Sequence, residues 1–199
     1  MFGNRRQELS DIDLVEQTIR GDDMAFDEIV KRYQNKVYNI VYRILGRQED
    51  AREIALETFI NAYRNLHVFR KESSFYTWLF RIAINQAKNR LRDLSRRGRN
   101  LNVSLNDCGD ETLFRTNNSF ASSPSPRAVA QTHELEEMLQ NCLDELPEPL
   151  RTVFVLRVYE DLSYDEISKI VDCPEGTVKS RLYQARGLLR KRLSELSIL

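Results

Sequence analysis

The chain of 199 residues contains no run of roughly eighteen apolar residues, so no segment reads as crossing a membrane. Its first stretch, MFGNRRQELSDID, lacks the apolar core of a secretory signal, which leads to the expectation of a cytoplasmic protein. Cysteine is scarce. Cys108, Cys142 and Cys173 are odd in number and far apart, and fit neither a disulfide framework nor a zinc site. A reduced compartment follows. The two histidines, His67 and His133, lie in different halves of the chain. There is no nucleophile–base pair, no glycine-rich phosphate loop and no metal-ligand spacing, so no enzyme activity, metal or cofactor is expected. With only 7 Gly and 5 Pro, long helices are permitted. Neither a two-residue strand period nor an internal repeat is present.

Net charge is also lacking, which alone argues against a simple nucleic-acid coat. The distribution is less even. Residues 1–97 carry 18 Lys/Arg and 14 Asp/Glu, whereas residues 131–199 carry 9 and 13. Bases bunch within each half. Lys88 to Arg99 holds six basic residues and one acid, and Glu175 to Leu193 again six and one. Such runs suit two local contacts with phosphate, or equally two solvated helix ends.

Apolar steps of three and four predict helices over about Ser10–Arg20, Asp22–Leu45, Glu49–Leu66 and Ser74–Arg97. Ser10 or Asp11 can cap the first, and Gly21 can end it. Residues 98–130 are rich in Asn, Ser and Gly and contain SSPSP, which predicts a flexible linker. Helical spacing resumes at Arg127–Leu146. Pro149 suits the first turn of a helix reaching about Tyr159. Ser163 and Glu166 make a capping-box pattern before Tyr164–Val171. A turn, DCPEG, then leads into a helix over about Thr177–Leu196. The expected fold is all-α, with a four-helix domain (8–97), a linker (98–130) and a helix-turn-helix domain (131–199).

Three surfaces invite partners. On the last helix, Val178, Leu182, Ala185, Leu189 and Leu193 share the packing side. Ser180, Tyr183, Gln184, Gly187 and Lys191 face away, flanked by Lys179 and Arg190. Hydroxyl, amide and cationic groups on one face suit a major groove. On the fourth helix, Trp78 lies on the polar side with Arg81, Asn85, Lys88, Asn89 and Arg92. An aromatic among such groups is a stacking platform for bases, unless it packs on a neighbouring helix. The preceding loop, His67 to Ser74, can hold an unstacked base. On the third helix, Glu53, Glu57, Ile60 and Arg64 align, with Leu56 and Tyr63 at the edge. Carboxylates mixed with exposed apolar groups suggest a protein partner.

These residues carry a resemblance. ETFINAYR (57–64), SFYTWLFRIAINQAKN (74–89), Leu146-Pro147, LSYDEI (162–167) and DCPEGTVKSR (172–181) resemble group 4, or extracytoplasmic-function, sigma factors of the sigma-70 family. The similarity is to the envelope-stress sigma-E branch, and covers both domains but not the linker. It implies a sigma-2 domain docking on the largest subunit of core RNA polymerase through Asp50, Glu53, Glu57 and Arg64. It implies that Phe69, Asn85 and Asn89 contact bases extruded from the −10 element, while Trp78 and Lys88, beside Arg81 and Arg92, hold the opened strand. A sigma-4 domain would read the −35 groove of promoter DNA through Lys179, Ser180, Arg181, Tyr183 and Gln184, and bind the second-largest subunit. A membrane-bound anti-sigma factor is a further implied partner; a small-molecule substrate is not. Two positions depart from the family. Leu56 stands where Gln is usual, and Gln184 where envelope-stress members tend to have Arg. The competing classes are a regulator that binds duplex DNA without polymerase, and a helical nuclease. Tight promoter binding by the chain alone would favour the first, and metal-dependent cutting the second.

Overall fold

The structure, a computed structural model, describes residues 9–98 and 136–196. Every regular element among them is helical. The first group comprises α1 (Asp11–Ile19), α2 (Asp23–Leu45), α3 (Gln48–Arg64) and α4 (Phe75–Gly98), with a short 3-10 turn at Leu66–Val68. The second comprises α5 (136–144), α6 (Glu148–Val158), α7 (Tyr164–Val171) and α8 (Glu175–Glu195). The expected linker and the start expected for α5 at Arg127 fall outside the described residues, except for Gly98.

Local chemistry sets the helix ends. Ser10 and Asp13 form a capping box: the Asp13 N–H donates to Ser10 Oγ at 3.2 Å, and the Ser10 N–H returns to the Asp13 carboxylate at 3.1 Å. Ser163 and Glu166 repeat it on α7, with distances of 3.3 and 2.9 Å. Three boundaries differ from expectation by two residues, among them the end of α5 at 144 rather than Leu146. Helix α3 stops at Arg64, where the Asn65 side chain and backbone N–H both turn back to the Asn61 carbonyl, and the chain tightens into the 3-10 turn. Helix α8 starts two residues early. Pro174 takes the cap position, its carbonyl accepting from Thr177 and Val178, so Glu175 and Gly176 are already helical.

Small residues decide the packing of the first group. Ala51, Ala55, Thr58 and Ala62 line the inner side of α3 and let α2 and α4 approach. Thr58 is buried, and its hydroxyl lies 2.7 Å from the Ile54 carbonyl and 2.6 Å from Gln86 Oε1. Leu14, Ile29, Ile40, Ile44, Leu79, Phe80 and Ile84 fill the core. In the second group, Leu143, Val153, Leu156, Ile167, Ile170, Val178 and Leu182 do so. Phe80 is fully buried, its ring 4.0 Å from that of Tyr76. Phe80→Ala is expected to cost about 3–5 kcal/mol in urea unfolding, the range for emptying an aromatic core site.

Candidate nucleic-acid interface

The loop before α4, the first turns of that helix and Lys169 of α7 border an open cavity of about 490 Å³. Phe69, Arg70, Lys71, Thr77, Trp78 and Arg81 contribute to its wall. Three rings build one side. Phe69 meets Phe75 edge-on at 5.7 Å, and Trp78 lies 5.4 Å from Phe69 and 5.7 Å from Phe75. The Phe69 ring is buried, whereas the indole remains half exposed. Trp78 therefore does both things the sequence left open: it packs on its neighbours and offers ring surface to the cavity. Thr77 donates its N–H to Ser74 Oγ at 3.1 Å, which fixes the start of α4. The tip of the loop is held from outside. Lys71 adopts a left-handed backbone (φ 59°), uncommon for a non-glycine residue, and its ammonium donates to Glu16 of α1 at 2.5 Å. That contact keeps the Glu16 carboxyl below its ordinary range. Flat aromatic surface with a cationic rim is the chemistry that holds an unstacked base and its phosphate.

Beyond the cavity, Arg81, Asn85, Asn89 and Arg92 are exposed along one side of α4. Arg92 donates to Asn89 Oδ1 at 3.1 Å, which orients that amide. Lys88 differs: its side chain is only 20 % exposed and its ammonium lies 3.8 Å from Glu148 of α6.

On α3, Leu56, Ile60 and Tyr63 are 64, 41 and 46 % exposed, an apolar strip on an otherwise charged surface. Tyr63 is braced, its ring edge-on to Phe26 at 5.0 Å and its hydroxyl donating to Asp23 at 2.6 Å. Glu57 and Arg64 are open to solvent, and Glu53 pairs with Arg90 at 2.5 Å. Asp50 is buried, 3.3 Å from both Arg90 and Arg47. Its carboxylate ties α3 to α4 rather than facing outward.

Helices α7 and α8 meet at a tight turn. Asp172 closes α7 in the left-handed region, and Ser168 Oγ donates to the Cys173 carbonyl at 2.6 Å. Val178, Leu182, Ala185 and Leu189 are buried, as the sequence spacing predicts. Lys179, Ser180, Tyr183 and Gln184 are exposed, Tyr183 to 82 %. Lys179 pairs with Glu175 at 3.4 Å. Arg181 is half-buried and turns toward the Cys173 thiol, 3.6 Å away. Sequence reasoning missed one feature, an apolar cavity of about 440 Å³ between α5, α6 and α8. Leu139, Cys142, Phe154, Val158, Leu189 and Leu193 line it. Three separate helices contribute, so no single periodicity reveals it.

Two family models match the chain, sigma-70 region 2 over residues 29–97 and sigma-70 region 4 over residues 136–189. The sigma-H factor of Pseudomonas aeruginosa is 40% identical over 186 residues, covering 94% of this chain and 95% of its own. The chain belongs to the sigma-70 family. As a sigma factor it directs core RNA polymerase to promoters and starts transcription. The ECF sigma-E factor of Haemophilus influenzae is 39% identical to this sigma factor over 96% of the chain and 98% of its own length. That of Escherichia coli is 38% identical over 96% and 97%. The fold of this sigma factor is shared by CnrH, solved with the cytosolic domain of CnrY (TM-score 0.67, 23% identity, 93% and 97% covered). It is shared also by RpoE of Bartonella quintana, solved with the anti-sigma factor NepR (TM-score 0.66, 19% identity, 85% and 96% covered).

Proposed function

We propose that this sigma factor is of the extracytoplasmic-function type, opening promoters for envelope-stress genes by capture of non-template bases. The observation that carries the reading is the pairing, in one chain, of an aromatic cavity with a cationic rim and a separate exposed recognition helix. Residues 8–97 form the polymerase-docking and −10 domain, 98–130 the linker and 131–199 the −35 domain. Asn85 and Asn89 read extruded −10 bases, Phe69 and Trp78 form the stacking wall, and Arg81, Lys88 and Arg92 follow the strand. Lys179, Ser180, Tyr183 and Gln184 enter the −35 groove, with Arg181 bracing the turn from the inside.

Docking on the largest polymerase subunit uses the α3 strip between Glu53, Glu57 and Arg64, with Asp50 holding that helix in place. Leu56 makes the contact more apolar than is usual for the family. The apolar cavity bordered by α8 supplies a surface for the second-largest subunit. An anti-sigma factor at the membrane holds the protein inactive until stress, in a cytoplasmic setting. The relatives named for the ECF sigma-E function support this branch, as do the two structures that share the fold, each solved with a partner. The work done is binding, without catalysis or cofactor.

Selection of bound duplexes from a random pool by the polymerase holoenzyme tests the −35 assignment. Gln184 pairs best with adenine N6/N7, where arginine would favour guanine O6/N7. The recovered −35 sequence is expected to differ at one or two bases from that of the arginine-bearing sigma-E branch. Gln184→Arg is expected to shift preference toward guanine by about tenfold, from the roughly 1–3 kcal/mol of a bidentate pair. Ser180→Ala is expected to weaken −35 binding while leaving strand opening intact. Recovery of the unaltered family sequence by the wild type removes the Gln184 assignment.

A further inference from the structure

Helix α1 carries none of the residues given a contact with DNA or polymerase, and it precedes the stretch 29–97 matched by sigma-70 region 2. Yet it reaches the aromatic cavity at two points. The first is the loop tip. Lys71 contributes to the cavity wall, and its ammonium donates to Glu16 at 2.5 Å. Arg20 lies farther from the same carboxylate, at 3.5 Å. The second point is the back of the ring wall. Asp11 accepts from the Tyr33 hydroxyl and, at 3.1 Å, from Arg32. The Tyr33 ring lies 6.1 Å from that of Phe75, which meets both Phe69 and Trp78. Burial, with the Asp11 contact adding to it, raises the Tyr33 hydroxyl well above its ordinary range, so it stays a donor.

Helix α1 is a firm base for both contacts. Leu14 and Val15 are fully buried where it packs on α2, and the Ser10–Asp13 capping box fixes its first turn. The loop tip is the opposite case. Arg70, Lys71 and Glu72 are exposed, and Lys71 holds a left-handed backbone that a side chain disfavours. Among the described residues, no hydrogen bond or ion pair other than Lys71–Glu16 ties the side chains of residues 70–72. An exposed ion pair contributes little by itself, on the same scale as that backbone penalty. One contact therefore decides whether the tip stays in place.

We propose that α1 is a splint for base capture, with Glu16 and Tyr33 as positioning residues that set how well the cavity tells a base from an empty sugar. The inference rests on the base-capture role proposed above. Glu16 fixes the cationic rim at Lys71, and Asp11 with Tyr33 fixes the Phe75 ring on which Phe69 and Trp78 lean. A site held in advance selects its ligand without an ordering cost on binding. Releasing Glu16 has two opposite effects. The tip loosens, which lowers selectivity for the base. The Lys71 ammonium is freed for phosphate, which strengthens binding to every sequence alike.

Polymerase holoenzyme carrying each full-length variant tests it. One probe is a labelled non-template −10 strand recovered by pool selection. The other is the same strand with one base removed, at the position where removal weakens wild type most and Trp78→Ala least. The readout is the ratio of the two affinities. Glu16→Gln is expected to lower it about three- to fivefold, the upper range for an exposed ion pair, while affinity for the strand lacking the base rises. Tyr33→Phe keeps the ring and every charge at the cavity, and is expected to lower the ratio about threefold without that rise. The exchange Glu16→Lys with Lys71→Glu is expected to restore the ratio but not the absolute affinity, since a carboxylate at the loop tip repels phosphate. A wild-type ratio in either single variant overturns the splint, as does an exchange that fails to restore it. Should the wild type bind both strands equally, base capture by the cavity falls, and the splint with it.

Discussion

Replacing Trp78 with alanine is expected to slow promoter opening by roughly ten- to a hundredfold, from the 1–3 kcal/mol that one base–aromatic stack supplies. The indole is the half-buried member of a three-ring wall whose other two rings are buried, 5.4 Å from Phe69 and 5.7 Å from Phe75. Its loss takes away stacking surface and also loosens Phe69, which has no other aromatic contact than Phe75 among the described residues. Trp78→Phe keeps a ring at the wall and is expected to recover most of the rate. Duplex binding through α8 lies on another domain and is expected to be unchanged. Fluorescence of 2-aminopurine placed in the −10 non-template strand follows opening in real time. An opening rate equal to wild type in Trp78→Ala would remove the stacking role.

Ile60→Glu is expected to weaken binding to core polymerase by about thirtyfold or more, the size of a hot-spot loss of 2 kcal/mol or above. Leu56, Ile60 and Tyr63 form the apolar centre of the α3 strip, with Glu53, Glu57 and Arg64 at its border. A carboxylate at the centre must be desolvated without a partner on docking, whereas in the free protein it stays in water. The fold is therefore expected to tolerate the change, and the helical signal and urea midpoint to stay near wild type. Competition for core polymerase against a labelled wild-type chain measures the affinity. Undiminished competition by Ile60→Glu would move the docking surface elsewhere.

Much of this was legible in the sequence because helices repeat their contacts locally. Val178, Leu182, Ala185 and Leu189 on α8 declare a buried side by spacing alone, and Ser10 and Ser163 declare their caps. A helical wheel shows which residues share a side, but not what else packs there. Asp50 and Arg181 were named as contact residues only through the family resemblance, and one turns to Arg90 and Arg47 and the other toward Cys173. Lys88 sits on the expected side and is drawn off by a carboxylate from the other domain. The contacts between the two helical groups left no trace in the spacing. Tyr76 and Glu160 are 84 residues apart, and Ile44 and Arg151 are 107 apart. Such pairs follow from tertiary geometry, not from periodicity.

Run-off transcription on a template pool, with purified core polymerase and the full-length chain, probes the joint use of the two DNA-binding surfaces. Discrete transcripts are expected only when the chain is added, from templates sharing two sequence elements at fixed spacing. Trp78→Ala should lose them at the opening step and Ser180→Ala at the −35 step. Transcripts that start without regard to template sequence, or none above core polymerase alone, would contradict promoter recognition by these two surfaces.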